Sequence, residues 1–158
     1  KKAVKLWGLF LSDVLGMRLT LMGFAIRRLI DRLTPDDISR LRHKVSTFID
    51  AVSSGVKPPE LADLENQIIA EVLASTHSTV IQLSLNPLSR SYMGIRKFQD
   101  VIYRDPQQNA LGYTLFLRWL DQPDPNLVAT ILEILEKRDE VTIDLVVEHV
   151  RATNRESD

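Results

Sequence analysis

A long apolar segment with an arginine near its middle is the feature that most constrains how this chain can fold. The segment, SDVLGMRLTLMGFAIRRLID, spans residues 12–31, and its apolar residues recur at helical spacing. At about 100° per residue, Arg18 falls on the same helix face as Leu11, Val14, Met22, Ala25 and Leu29. A guanidinium that leaves water must find an anion, because an unpaired buried charge is costly.

Three arrangements would satisfy this arginine, and the sequence leaves all of them open. An internal carboxylate could pair with Arg18, and Asp63 is a candidate because Leu61, Leu64 and Ile68 surround it on a helical segment. The guanidinium could instead reach water at the edge of the fold. It could also hold an anionic ligand, because its planar fork binds a carboxylate or phosphate in two places.

Helical periodicity and helix-start signals divide the chain into seven helical segments with no convincing strand. Thr34 and Pro35 predict the cap and first turn of the second helix, Asp105 caps the fifth, and Asp139 begins the seventh. Pro87 predicts a kink or a break in a long fourth helix. We expect helices at about 10–33, 35–52, 61–75, 79–104, 106–120, 127–138 and 139–155, joined by short connections as in an all-α bundle.

Composition excludes several classes of function. The net charge of -1 disfavours direct binding to a nucleic-acid backbone, and the absence of cysteine excludes disulfides and thiolate metal sites. Arg18, Arg27 and Arg28 disfavour a membrane span through the first apolar segment. We find no glycine-rich phosphate loop, no serine elbow, and no histidine spaced with carboxylates for metal hydrolysis, so we expect no enzyme.

Four segments, in order, resemble the C-terminal effector-binding (FCD) domain of GntR-family bacterial transcription regulators of the FadR subfamily. They are LFLSDVLGMRLTLMGFAIRRL, LTPDDISRLRHKV, ADLENQIIAEVLASTHSTVIQLSLNPLSRSYM and ILEILEKRDEVTIDLVVEHV. The resemblance implies an antiparallel bundle of six to seven helices that encloses a ligand cavity, with Arg18 as the ligand-facing arginine. It assigns 7–152 to this domain, 1–6 to a linker remnant from an N-terminal winged helix absent from this chain, and 153–158 to a tail.

Many members of this family bind a divalent metal through one aspartate and three histidines, and this chain departs from that pattern. Asp63 matches the aspartate, but Gln67 and Val128 replace two histidines, and His149 lies about one residue out of register. One carboxylate, one amide and one imidazole make a poor metal site. We therefore expect no metal cofactor, and the resemblance favours the metal-free branch, which senses long-chain acyl-CoA.

The resemblance and the residue pattern together give a set of candidate effector-binding residues: Arg18, Asp63, Gln67, Asn86, Tyr92 and His149. The last helix reads VEHVRATN, where the acyl-CoA branch has smaller residues, so the ligand class stays open. We expect a cytoplasmic homodimer that binds a small anionic effector and reaches DNA only through the absent domain. The alternatives are a metal-assisted sensor of small carboxylates and a ligand-free helical dimerisation module.

Overall fold

A computed structural model describes the backbone of residues 2–93 and 96–155, and the side chains of residues 4–91 and 98–153. These residues form helices and contain no strand, which confirms the all-α bundle. The helices are α1 (Lys2–Leu29), α2 (Pro35–Ser53), α3 (Pro58–Ala74), α4 (Thr79–Met93), α5 (Arg96–Ile102), α6 (Pro106–Asp121) and α7 (Pro125–Arg155).

The start of α2 follows the sequence signal closely. The Thr34 hydroxyl accepts a hydrogen bond from the backbone N–H of Asp37, and the Asp37 carboxylate accepts one from the backbone N–H of Thr34. Pro35 occupies the first turn, where its missing N–H would have no helical partner. This capping box confirms the predicted start of the helix. Asp105 lies at the N-cap position of α6, but its side chain makes no capping hydrogen bond.

Two helices are longer than the sequence indicates. α1 begins at Lys2, so it includes residues 2–6, and it ends at Leu29. α7 runs without interruption from Pro125 to Arg155, so the predicted break at Asp139 is wrong. An aspartate usually favours a helix start because its carboxylate can accept from free backbone N–H groups. Here the Asp139 carboxylate accepts from Arg18 instead and stays inside the helix.

The long predicted fourth helix does not break at its proline, and residues 94–95, between α4 and α5, lie outside the described residues. α4 continues through Pro87 to Met93, and α5 begins at Arg96. Pro87 removes the N–H that would donate to the carbonyl of Leu83. Both residues are exposed, with Leu83 at 72% of its full accessibility, so water can replace that donor without interrupting the helix.

The first and last long helices pack along one another and make the most extensive helix–helix contact among the described residues. A Cβ added at Gly23 of α1 would lie 3.0 Å from Cδ1 of Leu132 on α7, so glycine allows this close approach. α2 packs against α3 and α6, and α4 packs against α3 and α1. The largest side chains with no exposed surface include Trp119, Phe48 and Phe98.

The composition of α1 bears on whether the chain enters a membrane. By length and composition alone, Val4–Leu29 could cross a bilayer, with a mean hydropathy of 1.6. In the fold, however, Arg18 of this helix is buried against α7. The core helix of a soluble protein passes the same test, so a membrane location is not indicated.

Candidate ligand-binding site

A cavity lies between α1, α3, α4, α6 and α7. It encloses about 780 Å³, including space that is open to solvent. Its walls are mainly aliphatic, with Met22, Ile26, Ile68, Val72, Ile131 and Leu135 among the contributors. An aliphatic wall with a few convergent polar groups is the usual lining of a small-molecule binding site.

The polar part of the cavity is built from two ion pairs that share helix α7, one buried and one partly buried. Nη2 of Arg18 donates to Oδ1 of Asp139 at 2.8 Å, and Nη2 of Arg138 donates to Oε1 of Glu65 at 3.0 Å. Arg18, Glu65 and Arg138 line the cavity, whereas Asp139 lies next to Arg18 and is not part of the wall. We call these four residues the charge quartet.

Of the two carboxylates in the charge quartet, Glu65 accepts more hydrogen bonds from the described residues. Besides Arg138, it accepts hydrogen bonds from the hydroxyls of Tyr103 and Tyr113, the latter at 2.7 Å. Burial by itself raises the pKa of the Glu65 carboxyl, but the charge of Arg138 and the two hydroxyls outweigh it and lower that pKa. Glu65 is therefore ionised at neutral pH.

The surroundings of Asp139 shift the pKa of its carboxyl in the direction opposite to that of Glu65. Its side chain is buried, and its Oδ2 atom has no hydrogen-bond partner among the described residues. Burial raises the pKa of the Asp139 carboxyl above its ordinary value, because the attraction of Arg18 and Arg138 does not fully offset the loss of water and Glu65 adds repulsion. Of the two carboxylates in the quartet, Asp139 is the one that accepts a proton more readily.

Two further polar residues line the cavity. Ser89 on α4 is 2% exposed, and its hydroxyl has no hydrogen-bond partner among the residues the structure describes. Asn109 on α6 is also buried and donates to the carbonyl of Ile102 at 3.3 Å. Buried hydroxyls are rarely left unpaired, so the Ser89 side chain is positioned to bond to a molecule in the cavity.

Of the residues predicted from the sequence, only Arg18 is seen to line the cavity. Asp63 and Gln67 are exposed on α3, and His149 is exposed on α7. Asn86 is half-buried and does not contribute to the wall, and the side chain of Tyr92 lies outside the described residues.

Of the arrangements left open for Arg18, the structure shows pairing with an internal carboxylate, but that carboxylate is Asp139 and not the candidate Asp63. On α3 the cavity face is formed by Glu65, Ile68, Ile69 and Val72, which recur at helical spacing. Positions 63 and 65 point about 160° apart on a helix, so the helix cannot turn both towards the cavity. The signal that could have identified Glu65 is the one that marked Arg18, a charged residue within an apolar helix face.

The residues expected at the family's metal site do not fit a divalent ion here. Asp63, Gln67 and His149 are exposed, and the described residues contain no group of three or more metal-ligating side chains positioned to hold one. In the charge quartet, two arginines occupy the two carboxylates. Because both carboxylates already pair with guanidinium groups, the quartet is poorly suited to hold a metal cation.

Comparison with known families agrees with this geometry. The model of the FCD domain family matches residues 13–138, so the chain belongs to that family. FCD domains are C-terminal effector-binding domains of GntR-type transcription regulators, and they are regulatory domains that are not typically enzymatic. No curated protein and no solved structure matches the chain.

The tyrosines bonded to Glu65 give a test of the buried site. Burial and the adjacent Glu65 charge raise the pKa of both Tyr103 and Tyr113 well above the ordinary value. Because these pKa values are raised in the folded state, the stability they contribute is complete below about pH 10 and is lost as the pH rises further. We expect phenolate absorbance from both tyrosines only when the helical circular dichroism is lost.

Tyr103→Phe and Tyr113→Phe are the matched controls, and each should remove one delayed titration. If all 3 tyrosines of the chain ionise near their ordinary pKa while helicity is retained, the buried network around Glu65 is incorrect.

Proposed function

We propose that this chain is the ligand-sensing and dimerisation domain of a cytoplasmic GntR-family transcription regulator of the FadR subfamily. Its effector would be an amphipathic anion such as a fatty acid, an acyl-CoA or another carboxylate. The observation that carries this proposal is an aliphatic cavity whose polar part contains two arginines, the buried Arg18 and the partly buried Arg138. Membership of the FCD family supports it.

The cavity suggests how such an effector would bind. Its apolar chain would contact the aliphatic walls, and its acidic group would lie near Arg18, whose planar fork favours a carboxylate or phosphate. The unpaired hydroxyl of Ser89 would add a hydrogen bond. Asp63, Gln67 and His149 are exposed outside the cavity and are not part of this binding site.

Effector binding would act on DNA through linkage between conformational states. The charge quartet joins α1 and α3 to α7, so a ligand between these helices changes contacts on all three. In a full-length regulator, a winged helix would precede α1. An effector that binds one arrangement of the helices more tightly shifts the population towards it and changes how two DNA-binding domains are spaced.

An exposed apolar stripe on α1 supports a homodimer. Phe10, Met17 and Phe24 are spaced seven residues apart and therefore share one helix face with Leu6. Each is about half exposed, with Met17 at 56%. Several large apolar side chains exposed along one helix face favour an interaction site. We infer that a second copy of the chain covers this stripe.

The Arg18–Asp139 ion pair favours one alternative function, a ligand-free helical dimerisation module. In that case the arginine is purely structural, because its internal partner already satisfies it. This alternative gives no role to the aliphatic cavity or to the unpaired hydroxyl of Ser89.

A thermal-shift screen separates these two functions. Long-chain acyl-CoAs and fatty acids are compared with small dicarboxylates and hydroxycarboxylates, each with and without zinc. A ligand at about 100 times its dissociation constant should stabilise the fold by roughly 2.7 kcal/mol. We expect a shift with a long-chain acid, and no added effect of zinc.

Arg18→Met should lose this shift, whereas Arg27→Ala, which changes an exposed arginine on the same helix, should retain it. If no ligand class shifts the wild-type protein and Arg18→Met simply unfolds more easily, the dimerisation module is the correct function.

The dimer is tested by a charge in the apolar stripe. Met17→Glu should convert a dimer to a monomer in analytical ultracentrifugation, because the new carboxylate would be buried without a partner in the interface. Ser12→Glu is the control, since Ser12 is exposed on α1 away from the stripe. Equal dimerisation of the two variants would place the interface elsewhere.

A further inference from the structure

The charges around the cavity are balanced before any ligand enters. In the charge quartet, two guanidinium groups face two carboxylates, and both ion pairs are formed. Ion pairing and burial hold these groups away from water, with the Arg18 and Asp139 side chains each 7% exposed. An anionic ligand at Arg18 would therefore add a buried negative charge that no further cation of the quartet matches, which is unfavourable.

Three features decide which group in the quartet can neutralise this added charge. The guanidinium groups carry their charge at all accessible pH values and cannot change it. Glu65 is held as an anion by Arg138 and by two tyrosine hydroxyls. Among the described residues, Asp139 accepts a side-chain hydrogen bond from Arg18, and its Oδ2 has no partner.

Among the described residues, the charged groups that act on Asp139 come from three helices. Arg18 approaches from α1, Glu65 from α3 and Arg138 from α7 itself. Tyr113 of α6 and Tyr103, which follows α5, donate to Glu65 and stay neutral. If a ligand anion pairs with Arg18, Asp139 lies beside a second negative charge. Protonation of the Asp139 carboxylate removes the resulting repulsion.

We propose that an anionic effector binds this cavity together with one proton, which Asp139 takes up from solvent. The ligand carboxylate replaces Asp139 as the acceptor for Arg18, and Asp139 becomes a neutral acid. The inference rests on the proposed function, because it assumes that an anion binds at Arg18. It adds that the affinity for that anion depends on pH, whereas a neutral ligand of the same shape binds without a proton.

The test uses two probes of nearly equal shape, octanoate and octanamide, on the purified chain. Isothermal titration calorimetry in buffers of different ionisation enthalpy counts the protons that accompany binding. We expect uptake of close to one proton with octanoate near neutral pH and none with octanamide. Above the pKa of Asp139, the dissociation constant of octanoate should rise about tenfold per pH unit.

Asp139→Asn is the decisive variant, since it removes the titrating group and the resident negative charge together. It should bind octanoate without proton uptake, and at about pH 8 it should bind about tenfold more tightly than wild type, or better. Asp144→Asn, an exposed position on the same helix, should behave like wild type. Circular dichroism and thermal melting first establish that both variants fold.

The outcomes separate the inference from the proposed function. If wild-type protein binds octanoate without proton uptake, the inference is wrong and the proposed function stands. That measurement needs no variant, so a poorly folded Asp139→Asn does not weaken it. If neither probe binds wild-type protein or the folded variant, both the proposed function for this ligand class and the inference that rests on it are overturned.

Discussion

The ion pair between Arg18 and Asp139 is the interaction on which the arrangement of this bundle depends. It joins the first helix to the last across 121 positions of sequence, in an interior from which water is almost excluded. Such a pair gives little net stability relative to apolar packing, but the loss of one partner leaves a buried charge that costs about 3–5 kcal/mol. The pair therefore restricts α1 and α7 to arrangements in which these two side chains meet.

Adjacent residues on α7 extend this constraint to a third helix. Arg138 pairs with Glu65 of α3, one position before the aspartate that pairs with α1. The two pairs gather the buried charges at one part of a cavity that is otherwise aliphatic. This separation of a charged part from an apolar part is what suits the cavity to an amphipathic ligand, and it also makes the charge balance sensitive to such a ligand.

The sequence predicts the features of this fold that depend on local spacing. The all-α class, the capping box at Thr34 and the inward direction of Arg18 all follow from periodicity or from residues close in sequence. The identity of the partner of Arg18 does not, because helix periodicity reports which face is buried and not which distant helix covers it. The same limit explains why Asp63, which lies near apolar residues in sequence, is exposed in the fold.

Helix-start propensity also predicts a wrong helix boundary at a residue whose side chain is used in a tertiary contact. Asp139 has the properties of a helix start, but its carboxylate is used in an ion pair, and α7 continues through it. The family resemblance implies that Arg18 faces a ligand, and the helix-start signal at Asp139 predicts a break between positions 138 and 139. In the structure, these two positions supply half of the charge quartet.

A double-mutant cycle between Arg18 and Asp139 tests whether this ion pair constrains α1 and α7 in the bundle. Arg18→Met and Asp139→Leu, alone and together, are compared by urea unfolding. We expect each single variant to lose about 3–5 kcal/mol of the free energy of unfolding. The double variant should lose far less than the sum, because the apolar pair leaves no buried charge unpaired. Additive losses would show that the two side chains do not interact in the folded protein, and the ion pair would then not constrain the bundle.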